Sequence, residues 1–201
     1  MKIIGIGGNS TTGKSTLARL ISEKSKKSEV IPLDYILDDV KKKISSKDGI
    51  VESYHGDGNL INLKRNPINN IENRNIKGLY YLARNIFITS LVQSKLLKLY
   101  RNEYDLAIIE GVILEALYLD YDYLIKTQSP DSLRIKRRQE RDNMIVDAKT
   151  IHEWDKEDRK KSRYRKIKYD RIINNDSTLQ DYDKLAEEIY EKVMIKGTIK
   201  R

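Results

Sequence analysis

A short run near the start of the chain combines the residue types that bind a phosphate. It reads Gly8, Asn9, Ser10, Thr11, Thr12, Gly13, Lys14, Ser15 and Thr16. Gly8 and Gly13 permit backbone angles, and a close approach of the phosphate, that a side chain would block. Lys14 is placed to reach the β- and γ-phosphates of a nucleotide, and the Ser15 hydroxyl is a hard oxygen ligand for Mg²⁺. The run therefore predicts a phosphate-binding loop.

Two carboxylates end apolar runs that are typical of buried strands. Asp34 follows the run 30–33, and Glu110 ends the run that begins at Asp105. Ligands gather at the carboxyl ends of parallel strands, so both acids are candidates for the same site. Glu110 can hold Mg²⁺ directly or through water. Asp34 can accept the proton of a substrate hydroxyl, hold Mg²⁺ through water, or cap the helix predicted from Ile36, and these roles can coexist.

A basic segment, residues 129–168, is interpreted as a lid over the site. From Ser129 to Arg171 the chain has fifteen Lys or Arg residues against nine Asp or Glu residues. Arg134, Arg138 and Arg141 are spaced by four and three, which places them on one face of a helix. Guanidinium groups suit phosphate oxygens and can stabilise the charge of a transferred phosphoryl group. Arg138 and Arg141 are the catalytic candidates; the alternative is a solvated, charge-rich helical hairpin.

Strands and helices alternate along the rest of the chain, which predicts an α/β sheet of about five parallel strands with helices on both faces. The predicted strands are 2–6, 30–33, 105–111, 121–127 and 171–174. Helices are predicted after the loop, over 36–44 and 76–100, and from Ser129 as the N-cap. The closing helix is predicted to present one core face made of Leu179, Tyr182, Leu185, Ile189 and Val193.

Length and composition bound the remaining possibilities. The 201 residues suit one domain, 1–201, and the chain has no cysteine, which excludes disulfides and thiolate metal sites. The polar stretch 45–75 is expected to be a substrate-side loop or insertion, with Tyr54, His55 and Arg65 as candidate contacts. No stretch has the ~18 apolar residues of a membrane span, and no leader precedes the first strand. We therefore expect no membrane contact and a cytoplasmic location.

The motifs together resemble the P-loop small-molecule kinases, in particular the branch of uridine kinase, nicotinamide riboside kinase and dephospho-CoA kinase. The matching stretches are 4–17, 34–35, 108–114, 134–142 and 169–176. The resemblance implies a three-layer P-loop NTPase fold with a helical lid, and ATP and Mg²⁺ as cofactors. It also implies that the turn after the last strand borders the adenine, which places Asn175 near the base. Asp34 is followed by Tyr35 and Ile36 rather than by the aromatic run of the nucleoside kinases.

These expectations favour a kinase that transfers the γ-phosphoryl group of ATP to a hydroxyl of a small metabolite, with a nucleoside-like compound preferred. Two alternatives stay open. The formal net charge of +9 suits a kinase that acts on a nucleic acid, at a strand end or a modified base, with the basic segment as its groove. A nucleotide-dependent switch with slow hydrolysis is the other, although the chain has no Asn-Lys-x-Asp motif for reading guanine.

Overall fold

The computed structural model describes residues 1–36, 74–143, 145–161 and 167–195. In this part of the chain, five parallel strands form one sheet. The strands are β1 (Lys2–Gly7), β2 (Ser28–Pro32), β3 (Leu106–Glu110), β4 (Tyr123–Gln128) and β5 (Arg171–Asn174). The predicted α/β class is confirmed, and every predicted strand is present with its ends moved by at most two residues.

Helices alternate with the strands, as expected where parallel strands must be joined by crossover connections. They are α1 (Lys14–Ser22), α2 (Arg74–Arg101), α3 (Asp131–Asp142), α4 (Ala148–Lys161) and α5 (Leu179–Met194), with a short 3₁₀ helix at Leu114–Ala116. Residues 33–36 are also helical. Helical conformation therefore begins before Asp34, so Asp34 lies inside the turn rather than capping it; residues 37–44 lie outside the described part.

Three layers result, because alternate residues of each strand point to opposite faces of the sheet. In β3, Leu106 and Ile108 pack with α1 and α5, whereas Ala107 and Ile109 pack with α2. The first core includes Leu17, Ile21, Ile189 and Val193, and the second includes Ile88, Val92, Leu114 and Leu124. A sheet covered on both faces has mostly apolar strands. All five residues of β3 are accordingly buried, and only the last of them, Glu110, is polar.

The strand order β2-β3-β1-β4-β5 locates the site. After β1 the chain forms β2 and β3 on one side of β1, and it then crosses over to form β4 and β5 on the other side. In open α/β sheets this reversal of direction opens a crevice at the carboxyl ends of the strands. The phosphate loop lies at this point, directly after β1.

Two local predictions are wrong. Ser129 does not cap α3: its hydroxyl donates to the Asn175 carbonyl at 2.9 Å, and Pro130 occupies the cap position without a side-chain hydrogen bond. Leu179 does not belong to the core face of α5, since it is 60% exposed. It is the first residue of the helix, and the buried residues of α5 begin one turn later at Tyr182.

Candidate active site

Strand register brings the predicted loop and both carboxylates to one edge of the sheet. Glu110, the last residue of β3, is aligned with Ile6 of β1 on one side and with Pro32 of β2 on the other. Gly8 comes two residues after Ile6, and Asp34 comes two residues after Pro32. The phosphate loop, Asp34 and Glu110 are therefore neighbours because the three strands end together.

Glycine is required at both ends of the loop. Gly8 has φ of 137°, and a Cβ there would lie 2.3 Å from the Thr127 carbonyl oxygen. Gly13 has φ of 92°, and a Cβ there would lie 2.0 Å from the Asn175 side-chain nitrogen. Both backbones have left-handed angles that side chains rarely adopt. These two glycines let the loop close tightly between β1 and α1.

The loop leads directly into α1, which begins at Lys14. The first N–H groups of a helix have no partner within the helix, and the helix dipole makes this end positive. Lys14 adds a full charge: it is only 7% exposed, and its Nζ donates to the Asn9 carbonyl at 2.8 Å. Backbone N–H groups, the helix dipole and the ammonium together make an anion site.

Ser15 and Glu110 meet next to this anion site. The Ser15 hydroxyl donates to Glu110 Oε1 at 3.0 Å, and Glu110 is 5% exposed. Burial raises the pKa of Glu110, and the negative charge of Asp34 raises it further, whereas Lys14 and the Ser15 hydrogen bond lower it.

The chemistry of these oxygens fits Mg²⁺, which prefers hard oxygen ligands and usually takes only one or two carboxylates from a protein. Ser15, Glu110 and Asp34 are the residues that would hold it, as predicted. Within the described residues no three His, Cys, Asp or Glu side chains are grouped closely enough to hold a metal. A Mg²⁺ ion bound here would therefore need phosphate or water oxygens as well.

A cleft of about 480 Å³ extends from the loop over α1 toward α5. Predicted site residues and unpredicted ones share its lining. The predicted ones are Ser10, Thr11, Gly13, Lys14, Ser15, Thr16, Asp34, Glu110, Arg141 and Asn175. The others are Val112, Arg137, Ser177, Thr178, Leu179 and Tyr182. Gly8, Asn9 and Thr12 line a smaller cavity of about 160 Å³ instead.

The basic helix α3 directs its arginines to different places. Arg137 lines the cleft and donates to the Ser129 hydroxyl at 2.9 Å and to the Asn175 carbonyl at 3.1 Å. Arg141 also lines the cleft, with its guanidinium more than half exposed and paired with Asp142. Cationic groups from α3 thus face the same cleft as Lys14.

Arg138 differs from the prediction, because it is not among the residues that line the cleft. Its guanidinium lies 4.9 Å from the centre of the Trp154 ring in α4 and pairs with Asp142. Arg137, one residue earlier, takes the place in the cleft that the spacing assigned to Arg138. Successive residues of an α-helix are rotated by about 100° around its axis, so adjacent arginines point in different directions. This rotation explains why Arg137 lines the cleft and Arg138 does not.

Asn175 lines the cleft, with its side chain turned toward the loop. Its Nδ2 donates to the Thr12 carbonyl at 3.1 Å, and the residue is only 6% exposed. The Asn175 side chain therefore holds the phosphate loop. Its position beside an adenine stays a prediction.

The turn from β5 to α5 supplies cleft residues that sequence reasoning missed. Thr178 caps α5 in a capping box with Asp181, which fixes the first turn of the helix beside the loop. Leu179 exposes an apolar side chain to the cleft, and the Tyr182 hydroxyl donates to the Gly13 carbonyl at 3.3 Å. The Thr-x-x-Asp spacing was the available signal.

Several predicted features fall outside the described residues or cannot be placed. Tyr54, His55 and Arg65, with nearly all of the stretch 45–75, lie outside the described part, and so do residues 162–166 of the basic segment. No helix among the described residues is both long and apolar enough to cross a membrane.

No protein-family model and no curated protein matches the sequence. Solved structures do match its fold. The structure of TT1252 from Thermus thermophilus has 18% identity and a TM-score of 0.60, with 96% of this chain and 97% of that chain covered. The tunicamycin resistance protein of Deinococcus radiodurans has 15% identity and a TM-score of 0.53, with 96% and 95% covered. Shikimate kinase from Acinetobacter baumannii, solved with shikimate, has 13% identity and a TM-score of 0.53, with 100% and 96% covered.

The chain has the P-loop NTPase fold. Its five parallel strands and their order, the loop after β1 and the likeness to these structures over almost their whole lengths agree on this. At identities below one fifth the likeness concerns the fold. The resemblance to the uridine kinase branch stays a prediction.

Proposed function

We propose that this protein is an ATP- and Mg²⁺-dependent kinase that transfers the γ-phosphoryl group to a hydroxyl of a small metabolite, with a nucleoside-like acceptor preferred. The observation that carries the proposal is the meeting of Lys14, Ser15 and Glu110 with Asp34 in one cleft. The first three suit the phosphates and their metal ion, and Asp34 suits an alcohol. An enzyme of this kind would work where ATP is made and used, in the cytoplasm.

The loop and α1 would bind the phosphates of the donor. Backbone N–H groups at the start of α1 can donate to phosphate oxygens, and Lys14 can exchange the Asn9 carbonyl for the phosphate charge. Ser15 and Glu110 would hold Mg²⁺, which when bound neutralises charge on the phosphate oxygens. At the other end of the cleft, the exposed Leu179 side chain offers an apolar surface to a base.

Asp34 would orient the acceptor. A carboxylate beside the phosphates can accept a hydrogen bond from the acceptor hydroxyl and take its proton as the bond to phosphorus forms. Phosphoryl transfer depends more on positioning and charge neutralisation than on covalent help from the protein. Arg137 and Arg141, which line the same cleft, are the candidates for neutralising the transferred group.

A groove that follows a nucleic-acid backbone needs several cations along it that are available to phosphates. Arg134 is buried in an ion pair with Asp155, and Arg138 lies against the Trp154 ring, so only two of the four arginines of α3 line the cleft. The described part of α3 therefore favours a compact phosphate site over an extended groove. A small-molecule acceptor is also consistent with the shikimate kinase neighbour, which was solved in complex with the small molecule shikimate.

Transfer of label from γ-labelled ATP in the presence of Mg²⁺ tests the proposal. A host extract is divided into small metabolites and nucleic acid, and each fraction is incubated with the wild-type protein or with Lys14→Ala as the control. Label in a small metabolite, absent with the variant, is the expected result. Label in nucleic acid would select the first alternative, and label only in inorganic phosphate would select the switch.

A further inference from the structure

Three consecutive residues of the phosphate loop are hydrogen-bonded to the helices α3 and α4. The Asn9 side-chain amide donates to Asp155 Oδ2 at 2.7 Å, and Arg134 Nε donates to the Ser10 carbonyl at 3.0 Å. The Thr11 hydroxyl lies 3.3 Å from the carbonyl oxygen of Arg134. The two helices therefore hold the loop along its length from residue 9 to residue 11.

A buried ion pair lies at the centre of these contacts. Arg134 and Asp155 are only 4% and 5% exposed, and the guanidinium donates to both carboxylate oxygens, at 2.6 and 2.8 Å. A bidentate pair of this kind fixes orientation as well as charge. Because Asp155 Oδ2 accepts from Arg134 and from Asn9 together, one carboxylate fixes both the packing of the two helices and the position of the loop.

The loop needs such support because part of its backbone is strained. Thr11 has φ of 62°, a left-handed conformation that is unfavourable for a β-branched residue. Strained backbone of this kind persists only where the surroundings hold it. The Thr11 hydroxyl donates to the Ser10 carbonyl at 2.6 Å, and the same carbonyl accepts from Arg134 Nε at 3.0 Å, so the helix that carries Arg134 contributes directly to the strained turn.

We propose that Asp155 is a positioning residue that holds the phosphate loop in its binding conformation through Asn9. Asp155 is not among the residues that line the cleft, so it acts on the phosphates only through the loop. The basic helices would then serve as a rigid support as well as a source of cations. This inference rests on the proposed function in one respect, namely that the loop binds the phosphates of a nucleotide.

A double-mutant cycle tests the proposal, with Mg²⁺ and ADP as the probe and calorimetry at 15 °C as the measurement. Asp155→Asn and Asn9→Ala should each weaken ADP binding by about tenfold, as expected for losing a hydrogen bond to a charged group. Asn9→Ala leaves the backbone contacts of the loop and the Arg134–Asp155 pair in place. If Asp155 acts through Asn9, the double variant should bind only about tenfold to twentyfold more weakly than the wild type.

Asp131→Asn is the matched control. Asp131 also accepts from Arg134, at 3.1 Å, but among the described residues its side chain pairs with Arg134 and His152 rather than with the loop, and it is 39% exposed. Asp131→Asn deprives Arg134 of one carboxylate partner but leaves Asp155 and Asn9 in place. The variant should therefore bind ADP within about twofold of the wild-type affinity.

Three results would overturn the proposal. They are unchanged ADP affinity in Asp155→Asn, losses that multiply to about a hundredfold in the double variant, and an equal loss in Asp131→Asn. A purely structural role of the ion pair would lower the melting temperature without the coupling to Asn9. Failure of the wild-type protein to bind ADP would instead refute the nucleotide site itself, and the inference with it.

If Asp155→Asn does not fold, a second measurement tests whether Asp155 positions the loop through Asn9. Amide hydrogen exchange of residues 9–12 is followed without nucleotide in the wild type and in Asn9→Ala. Release of the loop from Asp155 should speed exchange at these positions by about tenfold, with the strands of the sheet unchanged. Unchanged exchange in the loop would overturn the proposal.

Discussion

The phosphate loop and the basic helices bring cations to the same cleft, but their sequences specify position in different ways. In the loop, the place of Lys14 follows from backbone geometry: two glycines close the turn, and α1 begins at the lysine itself. The four arginines of α3 lie in three different surroundings: Arg134 is buried, Arg138 lies over the Trp154 ring, and Arg137 and Arg141 line the cleft. A motif that fixes the backbone also fixes its side chains, whereas helical spacing leaves the orientation of the helix open.

The largest expected effect is on the loop. Lys14→Ala should reduce phosphoryl transfer by about 10²- to 10³-fold, because the removed ammonium is buried in the proposed phosphate site, where it would stabilise developing charge. Steady-state rates of ADP formation with acceptor present provide the measurement. A rate within tenfold of the wild type would mean that the predicted motif does not bind the donor as proposed.

The next prediction compares the activities of two variants, at neighbouring arginines of α3. Arg137→Ala should lower kcat/KM by about 10²-fold, since Arg137 lines the cleft. Arg138→Ala should change kcat/KM by less than about threefold. It should cost about 1 kcal/mol of unfolding free energy through the lost contacts with Trp154 and Asp142. Kinetics and urea unfolding of both variants provide the test, and the reverse order of activities would restore Arg138 as the catalytic arginine.

The smallest effect concerns the far end of the cleft. Leu179→Ala should raise KM for ATP by about fivefold, because the exposed side chain would lose apolar contact with the base. Stability should barely change, since the side chain is not packed in the core. Equal KM values for ATP in variant and wild type, or a large loss of stability, would count against this part of the cleft as the base site.

Much of the fold was predictable because its signals are local. The apolar runs identified the five strands of the described part, and the glycine-rich loop and the two strand-end acids predicted which residues meet in the candidate site. The partners of the α3 arginines were not predictable, since Asp155 lies 21 residues after Arg134 and Asn9 lies 146 residues before Asp155. Leu179 was predicted to lie in the core only because it matches the helical period of the apolar residues of α5. That period does not reveal which turns of the helix are packed against the core.

Comparison of the wild type with Asp34→Asn tests the central claim most directly. Phosphorus NMR follows ATP, Mg²⁺ and a small-metabolite extract with each protein, while calorimetry compares their affinities for ADP. The account predicts a new phosphomonoester signal with the wild type, formation slowed by about 10²- to 10⁴-fold in the variant, and similar ADP affinities. Phosphomonoester formed at the wild-type rate by Asp34→Asn, or only inorganic phosphate formed by the wild type, would contradict it.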